Sequence, residues 1–519
     1  MKPVGLLLCA LLGAQAFAAA TDVAANSALQ PQIKKIVEEI SAQHVHDTIA
    51  KLVSFGTRHT LSAQDDPERG IGAARKWIFA EFQSYSPRLQ VRYDHWRVKK
   101  TGRIFKDADL YNVIAVLPGK TMPDVEVVVS AHYDSLNLGM PAAQPAAGAG
   151  DSAVGERPVQ VDWEKSAALD APGACDDGSG IAAVMELARV MSQYEFSKTL
   201  VFIAFAGEEQ GLVGSTLEAE QAKKDGALIE AVLNNDIIGT EIAGDGRTGS
   251  NAVNVYSDDQ LDSRAQALAR YVEWAGARYL PGLKVNVQYA QDRLGRGGDQ
   301  TPFQQQGFSA VRISTPNEIL ANQHHEGDTL ENMSVPYTAR VAQLNAAAAA
   351  ALAMAPRTPD IWTKARTPGT GSATDGAKTD TAAPAATGAA EKTDAPAAAA
   401  TPAAPPAPPR WLPMISRGKG YDAVLRWHAA AEDANLKGYA VMMKATTAPV
   451  WEQEIFVGKV TEFTLPGVSI DDTKFGIKAI GNDGTESLVA AYVYPPRMKV
   501  EYKTEAAGDT TAERDGKDR

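Results

Sequence analysis

Four continuous apolar, β-branched runs mark the first two thirds of the chain: YNVIAVL from Tyr111, VEVVVSA from Val125, LVFIAFA from Leu200 and VNVYS from Val253. Apolar character without alternation predicts strands buried on both faces. Between and after these runs, GIAAVMELARVMSQY from Gly180 and LDSRAQALARYVEWA from Leu261 space apolar residues three to four apart, the period of amphipathic helices. Buried strands alternating with such helices predict an α/β domain: a mixed, largely parallel sheet flanked by helices. Ligands of such sheets bind beyond the carboxyl ends of the strands.

Beyond residue 410 the period changes to two, in AVLRWHA from Ala423, GYAVMMKAT from Gly438, EFTLPGV from Glu462 and FGIKAIG from Phe475. Short alternating strands separated by turn residues predict a small all-β sandwich over residues 411–497, followed by a charged tail over 498–519. Leu425, Trp427, Tyr439, Val441, Thr464-Leu465, Phe475, Ile477 and Ala479 resemble the core positions of a fibronectin type III module. Residues 356–410 are rich in Ala, Pro and Thr and cannot bury a core, so they read as a linker after a first domain over 30–355. A chain ending at Pro356 is therefore expected to keep its activity. At the other end, Lys2 precedes the apolar run Val4–Phe17 and a small-residue cleavage site at Ala16-Phe17-Ala18. Residues 1–18 thus read as a signal peptide, which places the protein in the periplasm or outside the cell. No later run is long enough to span a membrane.

The length of 519 residues is consistent with two or three domains, and 51 Lys+Arg against 63 Asp+Glu give a net charge of −12. That balance, without any Lys/Arg-rich block, argues against a nucleic-acid partner. Two cysteines, Cys9 and Cys175, exclude a disulfide framework.

The candidate chemistry lies at the ends of the predicted strands. VEVVVSA runs into His132-Tyr133-Asp134, LVFIAFA into Gly207-Glu208-Glu209, and Ala231-Val232-Leu233 into Asn234-Asn235-Asp236. Asp176-Asp177 precedes a predicted helix, and His324-His325-Glu326-Gly327-Asp328 forms a later loop. Each piece alone is a common structural residue: a helix cap, a solvated charge pair, a turn. Together they offer the imidazole and carboxylate mixture that zinc accepts. These residue types allow two zinc ions to share Asp176, one held also by His132 and Asp236, the other by Glu209 and His324. Three carboxylates against two dications leave one positive charge, which a bridging hydroxide nucleophile neutralises. Adjacent residues of extended chain point to opposite sides, so Glu208 can face that water as general base while Glu209 ligates. Asp134, two residues after His132, is placed to accept the second imidazole N–H.

HYDS, DDGSG, AGEEQGLVGS, NNDIIG and HHEGDTLEN occur in that order, and SFGTRHTLS begins at Ser54. This set resembles the secreted di-zinc aminopeptidases of metallopeptidase family twenty-eight, bacterial leucyl type. The resemblance implies that His132, Asp176, Glu209, Asp236 and His324 are the metal ligands and Glu208 the base. It selects His324 over His325 because the ligand stands four residues before an acidic residue, here Asp328, and it implies a cis peptide after Asp176. The chain departs from the resembled pattern in a long segment over 135–172, in Asp299-Gln300 where an Asp-His pair is usual, and in Gln323, which stands where many relatives carry an aromatic residue.

The leading expectation is an exported zinc aminopeptidase acting on peptides, with the C-terminal module free to contact a surface or polymer. Three alternatives share the scaffold. A carboxypeptidase would need a basic group such as Arg296 or Arg312 free to hold a substrate carboxylate. A glutaminyl cyclase would use one zinc and leave His132 without a task. A non-catalytic, receptor-like relative would have lost ligands, and none is missing here.

Overall fold

The computed structural model describes residues 29–139, 161–249, 251–292, 296–364, 411–429 and 433–493. The expected signal peptide, the charged tail, most of the linker and the Ala/Pro/Gly stretch of the 135–172 segment lie outside the described residues. Eight strands form one sheet: β1 (Gln90–Val98), β2 (Ala108–Leu117), β3 (Met122–His132), β4 (Lys198–Phe205), β5 (Leu228–Asn235), β6 (Ala252–Tyr256), β7 (Lys284–Gln288) and β8 (Ala310–Ser314). Their order is β1-β2-β4-β3-β5-β8-β6-β7. The central strands β4, β3, β5 and β8 run parallel to one another, as do β6 and β7, while β1-β2, β2-β4 and β8-β6 are antiparallel.

Alternation along the central strands divides two cores. Val127, Val129 and Ala131 of β3, with Leu200, Phe202 and Ala204 of β4, face the larger core. Helices α1 (Pro31–Glu38), α2 (Ala42–Ser54), α3 (Ile71–Tyr85), α4 (Ser179–Met191), α6 (Arg264–Tyr279) and α8 (Val335–Met354) contribute to it. Val128, Val201, Ile203 and Val232 face the other way, onto Ala219 of α5 (Val213–Asp225) and Phe303 of α7 (Gln300–Gln305). Both faces being covered explains why these strands read as unbroken apolar runs. β1, at the sheet edge, is half exposed and carries Arg92, Asp94, His95 and Arg97, so it lacks that signal.

α8 brings an unbroken run of buried alanines, Ala346–Ala351, against the larger core. Its start is capped by the Ser334 side chain, which accepts from Tyr337 N–H, with a proline in the first turn. Within this apolar wall, Asn345 and Asn235 of β5 exchange hydrogen bonds of 2.8 and 3.2 Å, so neither buried amide is left alone.

The C-terminal residues build a small all-β module. Ile415–Arg417, Ala423–Arg426 and Glu462–Leu465 form one antiparallel sheet; Gln453–Gly458, Leu436–Ala445, Thr473–Gly481 and Ala490–Ala491 form another. Leu425, Trp427, Tyr439, Val441, Phe475, Ile477 and Ala479 are all buried. The module is docked on the first domain. Lys444 Nζ lies 2.6 Å from Asp262 Oδ1 with both side chains 1% exposed, and Arg270 Nη1 of α6 reaches the same oxygen at 3.3 Å. Tyr271 OH donates to Glu486 O at 2.9 Å, Asn435 Nδ2 donates to Met354 O at 3.2 Å, and Leu488 joins the larger core. A chain ending at Pro356 would therefore strip α6 of buried partners, contrary to the independence that the linker composition suggests. Lys444→Met, which leaves Asp262 with Arg270 at 3.3 Å and Lys474 at 4.0 Å, is expected to lower unfolding free energy by about 1–2 kcal/mol. Urea denaturation of the full chain checks this, with Asp262→Asn/Lys444→Met recovering part of the loss.

Candidate metal centre

β3, β4, β5 and β8 end side by side, and the chain bends sharply after β4 and β5. Gly207 (φ 78°) starts the turn that carries Glu208 and Glu209 beyond β4; Ile237 (φ 58°) follows Asp236 beyond β5. Asp236 N–H donates to Ile313 O at 3.1 Å, which fixes it against the end of β8. Asp176 lies in the tight turn before α4, and the Asp176–Asp177 peptide is cis, as the resemblance implies. His324 comes from the loop after β8, with φ 53°.

These bends bring five side chains together as two groups that share Asp176. His132 Nε2 lies 3.2 Å from Asp176 Oδ1 and 3.8 Å from Asp236 Oδ1. His324 Nε2 lies 3.2 Å from Asp176 Oδ2 and 3.2 Å from Glu209 Oε2. In each group one imidazole and two carboxylates present donor atoms within 4.8 Å of one another. His325 stands outside both groups, its Nδ1 accepting from Gly327 N–H at 3.1 Å. The donor chemistry fits a divalent cation in each group, and the buried Glu209 Oε1 has no hydrogen-bond partner among the described residues.

The electrostatics agree with that fit. Burial disfavours a charged His132, yet hydrogen bonds with Asp134, Asp176 and Asp236 push its pKa well above the ordinary imidazole value. His324 is likewise raised against burial, by Glu209 and Asp176. Burial works against an ionised Asp176, but hydrogen bonds from both imidazoles hold it well below the carboxylate range. Glu208 is pushed up by burial, opposed by His132 and reinforced by Asp236 and Glu209. Protons on the imidazoles thus balance charge that divalent cations would otherwise offset.

A surrounding set of polar residues fixes this geometry. Asp134 lies beside His132 as expected, its carboxylate 3.6 Å from Nδ1, although the Asp134 main-chain O is nearer, at 3.1 Å. The carboxylate also accepts from Glu208 N–H at 3.3 Å, Glu209 N–H at 3.2 Å and Thr60 Oγ1 at 3.1 Å. It therefore holds the turn that presents both glutamates. Asp328, used in the sequence only to count back to His324, accepts from Cys175 N–H at 2.8 Å and Asp176 N–H at 2.9 Å. Asp177 accepts from Gly180 N–H at 3.0 Å and Ile237 N–H at 3.2 Å, tying the turn before α4 to the end of β5. Gln323 Nε2 donates to Asp176 Oδ2 at 3.1 Å. Sequence reasoning assigned no task to Asp177, Asp328 or Gln323, although each neighbours a motif residue.

Arg58, inside the SFGTRHTLS segment, is also missed by pattern. Fully buried, it donates to Tyr133 O at 2.7 Å, Leu52 O at 3.2 Å, Pro172 O at 2.6 Å and Gly173 O at 2.8 Å. One guanidinium thus joins the loop after β3 to the turn that carries Asp176. The two arginines offered as examples of a group to hold a substrate carboxylate are engaged elsewhere. Arg296 Nη1 is 3.1 Å from Glu318 Oε2; Arg312, 1% exposed, pairs with Asp292 and lies 3.2 Å from Asp236 Oδ1.

A model described as peptidase family M28 matches residues 112–349. A probable zinc metalloprotease of Pyricularia oryzae is 32% identical over 485 residues, covering 86% of this chain and 82% of that protein. Among solved structures, the LapA aminopeptidase of Legionella pneumophila is similar with a TM-score of 0.45 and 18% identity, over 63% of this chain and 76% of that one. The glutaminyl cyclase of Porphyromonas gingivalis is similar with a TM-score of 0.45 and 18% identity, over 59% of this chain and 97% of that one.

Arg58→Lys keeps the charge but cannot reach all four carbonyls, leaving buried acceptors unsatisfied. It is expected to cost about 3 kcal/mol of stability in urea denaturation and to release metal on dialysis, measured by atomic absorption.

Proposed function

We propose that this chain, which belongs to peptidase family M28 and so to a family of zinc-dependent hydrolases, is an aminopeptidase that binds two zinc ions. Support for two ions comes from the pair of donor groups sharing Asp176, each with its own histidine and its own second carboxylate. A one-zinc cyclase would leave His132 and Asp236 without a purpose. The retention of every donor and of Glu208 argues against a receptor-like relative.

The observation that carries the aminopeptidase reading is the engagement of Arg296 and Arg312 with carboxylates. Both guanidiniums are paired with carboxylates, so neither is presented to a substrate carboxylate.

When bound, zinc supplies Lewis-acid polarisation of the scissile carbonyl and a lowered pKa for water. The side chains do the rest. Burial raises the proton affinity of Glu208, which suits a base that accepts a proton from the attacking water and returns it to the departing amine. Asp134 holds that residue's main chain, so the carboxylate approaches from a fixed direction. Asp328 and Asp177 keep the turn bearing Asp176 in place while charge redistributes. Export is part of the same proposal and rests on Lys2, the apolar run after it and Ala16-Phe17-Ala18.

Glu208→Gln is expected to retain both metals and to lower kcat roughly 10²–10⁴-fold; near-normal turnover would sink the base assignment. With the wild-type protein, aminoacyl substrates with a free amine should be cleaved and N-blocked ones spared. A chelator should abolish the activity and added zinc restore it.

A further inference from the structure

We propose that Gln323 is a positioning residue that keeps Asp176 divided between two cations, an inference that rests on the two-zinc reading above. A shared carboxylate has to offer one oxygen to each side. Asp176 does so: Oδ1 faces His132 Nε2 at 3.2 Å and Oδ2 faces His324 Nε2 at 3.2 Å. Nothing intrinsic to a carboxylate enforces that division, because rotation about its Cβ–Cγ bond allows both oxygens to turn toward a single cation.

Gln323 Nε2 donates to Oδ2 at 3.1 Å, so it holds the oxygen on the His324 side. The donor is uncharged: it orients the carboxylate without placing a positive charge beside the cation, as Lys or Arg at that position would. Its own chain is anchored. Gln323 N–H donates to Ile319 O at 3.3 Å, and His324 O accepts from Leu138 N–H at 3.0 Å. With His324 at φ 53°, the side chains of consecutive residues both reach Asp176. Asp328 fixes the Asp176 main chain from below, and Gln323 supplies the constraint that the main-chain contacts lack, on rotation of the carboxylate itself.

The test is stepwise Co(II) binding to the metal-free full chain, followed by calorimetry and by visible absorption of the bound ion, in wild type, Gln323→Met and Asp176→Asn. Gln323→Met keeps the length and removes the donor. It should keep the affinity of the first ion, weaken the second about 10- to 100-fold, and lose the spectral change of the second step. The unfolding midpoint of the metal-free variant should match wild type. Unchanged binding in both steps overturns the proposal, as does equal weakening of both steps with a lowered midpoint, which would mark a merely structural role. Gln323→Ala repeats the measurement should the Met variant fold poorly, under the same criteria. If wild type takes up fewer than two ions, or Asp176→Asn leaves uptake unchanged, the two-zinc reading falls and this inference falls with it.

Discussion

Burial of negative charge at the carboxyl end of the sheet is the constraint on which the rest of the molecule turns. Asp134, Asp176, Asp177, Glu209, Asp236, Asp299 and Asp328 are all buried; the buried Arg312 pairs with Asp236, and the buried Arg58 binds the main chain around them. Carboxylates held away from water are tolerable when paired with cations or with N–H donors. The fold supplies both. Main-chain donors turn inward to Asp134, Asp177 and Asp328; imidazoles converge on Asp176; what charge remains is the charge that divalent ions match. Loop bends at Gly207, Ile237 and His324 are the geometric means of bringing these groups within reach.

Much of this was legible in the chain. A strand covered on both faces must be apolar throughout, so β2, β3 and β4 were visible as runs, and the acids that follow β3 and β4 were visible as interruptions. The five proposed metal donors, from His132 to His324, meet in the structure, and the cis peptide lies after Asp176. β1 and β8 were silent for opposite reasons: β1 is an exposed edge, and β8 is five residues long with Arg312 at its centre. The antiparallel pairings of β1, β2 and β6 carried no local mark either, since strand direction is decided by connections rather than by residue pattern.

What remained hidden consists of polar partners far apart in sequence. Hydrophobic period reports the face a residue turns inward but not what it meets there. Arg58 reads as one arginine in a loop until its four carbonyl partners are seen together. Asp134 looked like a histidine partner on spacing, and its carboxylate proved to hold the Glu208-Glu209 turn. Asp262 and Lys444 stand 182 positions apart, across a composition that announces separation, yet a buried ion pair joins the two sides. Linker composition describes the tether and is silent on docking.

The reciprocal amides of Asn235 and Asn345 have a consequence for the uniqueness of the fold. A helix faced with alanines is smooth: shifted by a turn, or rotated by one residue, it would bury nearly the same area against nearly the same neighbours. Apolar packing alone would leave α8 several almost equivalent seats. Two facing amides remove that degeneracy, because every seat but one strands a buried polar group. They act as a registration mark, contributing to which arrangement is populated more than to how stable it is, and Asn235 immediately precedes Asp236. The position of a proposed metal ligand is thereby indexed to a helix that contributes none of the proposed donors.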